Sequence, residues 1–170
     1  MSDKKKTVPV KKSNKGAFAI VGAAIILIVV FLIVKGNSGS VADTDAASQG
    51  GDITITKSEV SETAKFIPYK TGNTKMEVIA LKAPDGSIRT AFNTCQVCYD
   101  SGRGYYVQEG DVLVCQNCGN RFKAEQVEVI KGGCNPVPID AENKTDDGTT
   151  ITISKDFLAQ NKALFGNWKR

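Results

Sequence analysis

Four of the five cysteines in this chain fall in two pairs, Cys95/Cys98 and Cys115/Cys118, spaced C-x2-C-x16-C-x2-C. That spacing lets a small β-rich domain present four thiolates to one metal. Cys134 stands apart in Gly132-Gly133-Cys134-Asn135-Pro136, and the 170 residues include no histidine. Any metal site must therefore be built from sulfur, with help only from oxygen ligands. The same lack removes Ser/His/Asp and Cys/His constellations, and no G-x-x-x-x-G-K-[ST] phosphate loop occurs. Hydrolytic chemistry has nothing to work with.

A length of 170 residues leaves room for one ordinary domain and a terminal appendage, hence for one core. The net charge of +4 sits in the appendage: residues 1–35 carry seven lysines against one aspartate, while the remaining 15 basic residues face 17 acidic ones. A nucleic-acid-binding domain concentrates Lys and Arg on its own face, so this distribution argues against nucleic acid as a partner.

Residues 16–34 are nineteen uncharged, apolar positions. At 1.5 Å per helical residue they reach about 28 Å, close to the hydrocarbon thickness of a bilayer. Lys4, Lys5, Lys6, Lys11, Lys12 and Lys15 precede this run and only Lys35 follows closely. The positive-inside rule then keeps the N-terminus in the cytoplasm and exports the rest. The alternative, a cleaved secretory signal, fits less well because such apolar regions are shorter, about 7–15 residues. The expected organisation is a cytoplasmic basic tail at 1–15, a single-pass transmembrane anchor at 16–35, a flexible Gly/Ser/Ala/Asp linker at 36–51 and an extracytoplasmic cysteine-rich domain at 52–170.

The exported part reads as mainly β. Strands are expected at 52–56, 64–69, 75–82 and 88–94, with Pro84-Asp85-Gly86-Ser87 turning the third of these into the fourth. A second hairpin joins 105–108 to 112–115 through Glu109-Gly110-Asp111. Each cysteine pair thus begins at a strand end. A last strand at 150–153 leads through Ser154, a candidate N-cap, into a short helix over 156–165. The segments 52–60 and 150–158 share I-T-I-x-K in the same register. Chance similarity between two threonine-rich strands accounts for this as well as two equivalent strand-to-helix units do.

Exported cysteines are disulfide candidates by default, although five leave one unpaired and vicinal bridges close loops too small to restrain the unfolded chain. Thiol–disulfide exchange needs a C-x2-C at a helix N-terminus, and neither pair precedes a convincing helix. A tetrathiolate site is better supported. Gly119 follows Cys118 and tolerates positive φ, so backbone N–H groups can turn toward sulfur; Tyr99 stands where that glycine would be in the first pair. Cys134 is a further ligand or a spare thiol beside the site. Zinc, a single iron and an iron–sulfur cluster all accept four thiolates. Tyr99, Tyr105, Tyr106 and Phe92 lie near the cysteines and read first as core, then as shielding for a metal. Glu109 and Asp111 read as solvated turn residues rather than oxygen ligands.

The ordered set Cys95-Gln96-Val97-Cys98, Gly104-Tyr105-Tyr106-Val107-Gln108-Glu109-Gly110, Val114-Cys115-Gln116-Asn117-Cys118-Gly119 and Gly132-Gly133-Cys134-Asn135-Pro136 resembles the FtrD-like membrane iron–sulfur-containing proteins over residues 52–138. The resemblance implies a bound iron or iron–sulfur centre, with Cys95, Cys98, Cys115, Cys118 and Cys134 as the matching positions. It also implies a part in iron acquisition or electron transfer beside a membrane partner such as an iron permease. The rival readings are a zinc- or disulfide-stabilised interaction domain, suited to some 120 exported residues with little apolar surface to bury, and a thiol–disulfide oxidoreductase.

Overall fold

The computed structural model describes residues 48–170. The expected membrane anchor, its basic flank and most of the linker lie outside the described residues. Among the described residues no helix is long and apolar enough to cross a membrane.

The central element is the run Met76-Glu77-Val78-Ile79-Ala80-Leu81, in which every residue is buried. Alternation sends successive strand side chains to opposite faces, so such a run must be covered on both sides. It belongs to a five-stranded sheet ordered β1 (Ser48–Gln49), β3 (Lys65–Thr71), β4 (Thr74–Lys82), β5 (Ile88–Cys95) and β9 (Pro136–Pro138). Met76, Val78 and Ala80 enter one apolar cluster with Phe92, Ile139 and Phe165, whereas Ile79 and Leu81 enter another with Ala91, Tyr106, Leu113, Cys95 and Cys115. The single core expected from length is therefore two, one on each face of this sheet.

The first cluster is closed by a three-stranded sheet, β10 (Thr145–Asp146), β11 (Thr150–Ile153) and β2 (Ile53–Thr56). The two I-T-I segments are each other's partners: Ile53 pairs with Ile153 and Ile55 with Ile151 in an antiparallel ladder. Their shared pattern places all four isoleucines in one core. Ser154 caps helix α1 (Lys155–Gln160), its Oγ accepting from the Phe157 N–H at 3.3 Å. The helix expected over 156–165 breaks at Asn161, and a 3-10 turn at Lys162–Phe165 follows. Asn161 Nδ2 donates to the Phe157 carbonyl at 2.9 Å, the local side-chain bonding by which asparagine competes with helix continuation.

The second cluster is closed by β6 (Tyr106–Glu109), β7 (Val112–Cys115) and β8 (Arg121–Lys123), an antiparallel meander. The expected hairpins are present: β4 pairs with β5 and β6 with β7. Strands β1, β8, β9 and β10 escape the sequence reading because two or three residues carry no periodicity. β9 is an edge strand whose two prolines need no partner on their nitrogen side.

Candidate metal centre

The site lies where the second cluster meets the ends of β5, β7 and β9. Cys95 is the last residue of β5 and Cys115 the last of β7, so each first cysteine is held by a strand and each second by the knuckle that follows. Cys134 precedes β9, which runs antiparallel to β5 with Pro136 opposite Cys95. A shift in register between Phe92 and Cys95 interrupts the β5–β9 ladder at this point.

All five sulfurs converge. The Sγ atoms of Cys95, Cys98 and Cys115 lie within 4.8 Å of one another, and so do those of Cys98, Cys118 and Cys134. Cys98 and Cys134 are 3.8 Å apart at sulfur, and none of the five is paired in a disulfide. Cys95, Cys98 and Cys115 are buried, Cys134 is half-buried and Cys118 is exposed.

Both knuckles aim N–H groups at sulfur. The Cys98 N–H donates to Cys95 Sγ at 3.3 Å, so Tyr99 does not prevent the geometry that glycine permits in the second pair. Gly119 adopts φ +74° and its N–H closes the second knuckle on the Cys115 carbonyl at 2.8 Å. Gly104 is required for a different reason: a Cβ there would sit 2.7 Å from the Cys98 carbonyl oxygen. The first knuckle is thereby packed against the backbone that enters β6.

These contacts divide the thiols. Burial works to raise the Cys95 thiol, but the N–H groups of Cys98 and Val97 work against it, and Cys95 is held below its ordinary range. The Asn120 N–H lowers Cys118 in the same way. Burial pushes Cys115 up to about 12 and raises Cys98, and the neighbouring Cys118 and Cys98 raise Cys134. Each group of three thus contains one thiol held below its ordinary range.

Several supporting residues carry no motif signal. Gln96, inside the first C-x2-C, accepts from the Gly132 N–H at 3.0 Å and donates to the Pro136 carbonyl at 3.2 Å, clamping the Cys134 loop to the first knuckle. Asn120 Nδ2 and the Tyr106 hydroxyl both donate to the Cys134 carbonyl, at 2.7 and 2.8 Å. Tyr106 is fully buried among the cysteines, whereas Phe92 belongs to the first cluster. Asn167 and Lys169 strap the turn after Cys98: the Lys169 N–H donates to the Gly102 carbonyl and Asn167 Nδ2 to that of Asp100. Glu109 is exposed and paired with Arg121, and Asp111 is exposed; neither is grouped with the sulfurs.

The donor set fits a thiophilic metal: sulfur only, ionisable, partly shielded and oriented by N–H groups that stabilise thiolate charge. No curated protein and no solved structure matches the chain. The family described as "Membrane iron-sulfur containing protein FtrD-like" matches residues 60–165, which include all five cysteines. That match spans more than half of the sequence, and the chain belongs to the FtrD-like family of membrane iron–sulfur-containing proteins.

Proposed function

We propose that this protein is a membrane-anchored, extracytoplasmic metal-thiolate protein that holds iron, alone or with sulfide, and serves a membrane partner in iron transport or electron transfer. The observation that carries the reading is the convergence of five sulfurs from three separate segments on the edge of an apolar core. Cys95, Cys98, Cys115, Cys118 and Cys134 are the proposed ligands. Iron held by thiolates supplies one-electron redox chemistry. The chain's own work is to keep the sulfurs close, to offset their charge through the N–H groups of the two knuckles, and to exclude water on the inner side with Tyr106, Leu113 and Phe122. In this reading residues 1–15 stay in the cytoplasm, 16–35 span the bilayer, 36–51 tether and 52–170 bind the metal, the lysines before the span setting its direction. The family's description as a membrane protein supports that arrangement.

The full chain purified in detergent without oxygen tests the reading through visible absorbance, iron, zinc and sulfide content, and free thiols. Iron with charge-transfer absorbance that Cys115→Ser abolishes is expected, sulfide then separating a cluster from iron alone. A colourless protein holding zinc or cystines overturns the redox role and leaves an interaction module.

A further inference from the structure

The reading of C-x2-C-x16-C-x2-C as four ligands around one ion makes a geometric demand. With metal–sulfur bonds of about 2.3 Å, four thiolates on one tetrahedral ion are mutually about 3.8 Å apart and form a single set of four. The five sulfurs form instead two sets of three, Cys95/Cys98/Cys115 and Cys98/Cys118/Cys134, and among the described residues no set of four shares the 4.8 Å limit. Cys98 is common to both. Three thiolates around one ion at the same bond length stand about 4 Å apart, which both sets accommodate.

We infer that the centre has two metal positions bridged by the Cys98 sulfur: an inner one held by Cys95, Cys98 and Cys115, and an outer one held by Cys98, Cys118 and Cys134. The inference rests on the metal-thiolate reading above and adds to it a number, a bridge and an asymmetry. The inner position is lined by cysteine residues that are 0%, 8% and 1% exposed, continuous with the apolar cluster of Tyr106, Leu113 and Phe122. The outer position has Cys118 exposed and Cys134 half-buried. An ion at the outer position therefore meets solvent and a competing ligand directly, while release of the inner ion requires opening of the core. The outer ion is the exchangeable one, and the class of ligand it takes is a soft, thiophilic cation. A thiolate shared between two ions has ample precedent in sulfur chemistry: deprotonated sulfur retains lone pairs after forming one metal bond, whereas a single protein nitrogen or backbone carbonyl seldom serves two soft ions.

Cadmium is a suitable probe because it prefers thiolate and its nucleus reports on shared ligands. The full chain in detergent, reduced and metal-free, is titrated anaerobically with ¹¹³Cd²⁺ and read by bound metal per chain, thiolate-to-cadmium absorbance and ¹¹³Cd resonance. Two ions per chain are expected, giving two resonances split by mutual coupling through the bridging sulfur, and EDTA removing one before the other. Cys118→Ser, at an exposed position, and Cys134→Ser are each expected to lose one ion and its resonance while keeping the other. Far-ultraviolet dichroism of each variant checks that the fold is retained, and the unmutated chain tests ion number and coupling irrespective of that check. One tightly held ion in the unmutated chain overturns the two-position inference and leaves the metal-thiolate reading standing. Two uncoupled resonances overturn the bridge. Absence of bound metal overturns both readings.

Discussion

At the residue scale, the most consequential side chain outside the cysteines is Glu77. It points to the second cluster's side of β4, where Asn93 Nδ2 and Arg170 Nη1 each donate to its Oε2 at 2.6 Å. Asn93 also accepts from the Tyr106 N–H at 2.7 Å, so Glu77 stands one residue behind the tyrosine that packs among the sulfurs. Burial holds the Glu77 carboxyl above its ordinary value of 4.5, against the lowering influence of Asn93 and Arg170. A carboxyl raised on folding adds stability below its unfolded value and loses that stability as pH rises through its folded value. Glu77→Gln, which cannot ionise, is expected to remove this loss. Urea midpoints from about pH 4 to about pH 7 are the measurement, and the wild type is expected to gain less stability, or lose more, than the variant across that window. An identical pH dependence in both chains excludes the assignment.

At the scale of elements, the loop between β8 and β9 is what brings Cys134 to the site, and a buried ion pair holds its start. Glu128 takes φ +67°, the one non-glycine positive φ among the described residues. Its carboxylate receives Lys144 Nζ and the Thr90 hydroxyl, the latter at 2.8 Å, and Lys144 also reaches Thr90 Oγ1 at 2.9 Å. The two charged side chains are only 8% and 12% exposed. Removing one partner of a buried pair strands the other charge, so Glu128→Ala is expected to cost about 3–5 kcal/mol in chemical denaturation. Glu128→Leu combined with Lys144→Met is expected to recover part of that cost; the Thr90 N–H still loses its acceptor. Equal losses in the single and double variants count against the ion pair as the cause. Sequence reading gave no warning of this contact, because an Asp/Glu and a Lys sixteen positions apart in a loop look like ordinary solvated charge.

At the scale of the whole molecule, two cores share one sheet, and only the second includes cysteines. A metal held at the proposed ligands would therefore stabilise the two halves unequally, since a site formed only on folding couples its binding free energy to folding. Stripping the metal is expected to raise amide exchange in β6, β7, β8 and both knuckles, while β2, β4 and β11 keep their protection. Hydrogen-exchange mass spectrometry of loaded and stripped protein is the check, and uniform change across all strands contradicts it. What was legible beforehand is whatever depends on near neighbours in the chain. The hairpins delivering Cys95 and Cys115, the Gly119 turn and the Ser154 cap each rest on contacts within a few residues, where residue type and spacing suffice. The pairing of the two I-T-I strands, the division of β4 between two cores, and the place of Cys134 beside Cys98, 36 residues away, were settled only by the tertiary structure. Such contacts form only when distant segments close large loops, and the free energy that closes them is the burial of all the segments together, so no single stretch of sequence carries the information.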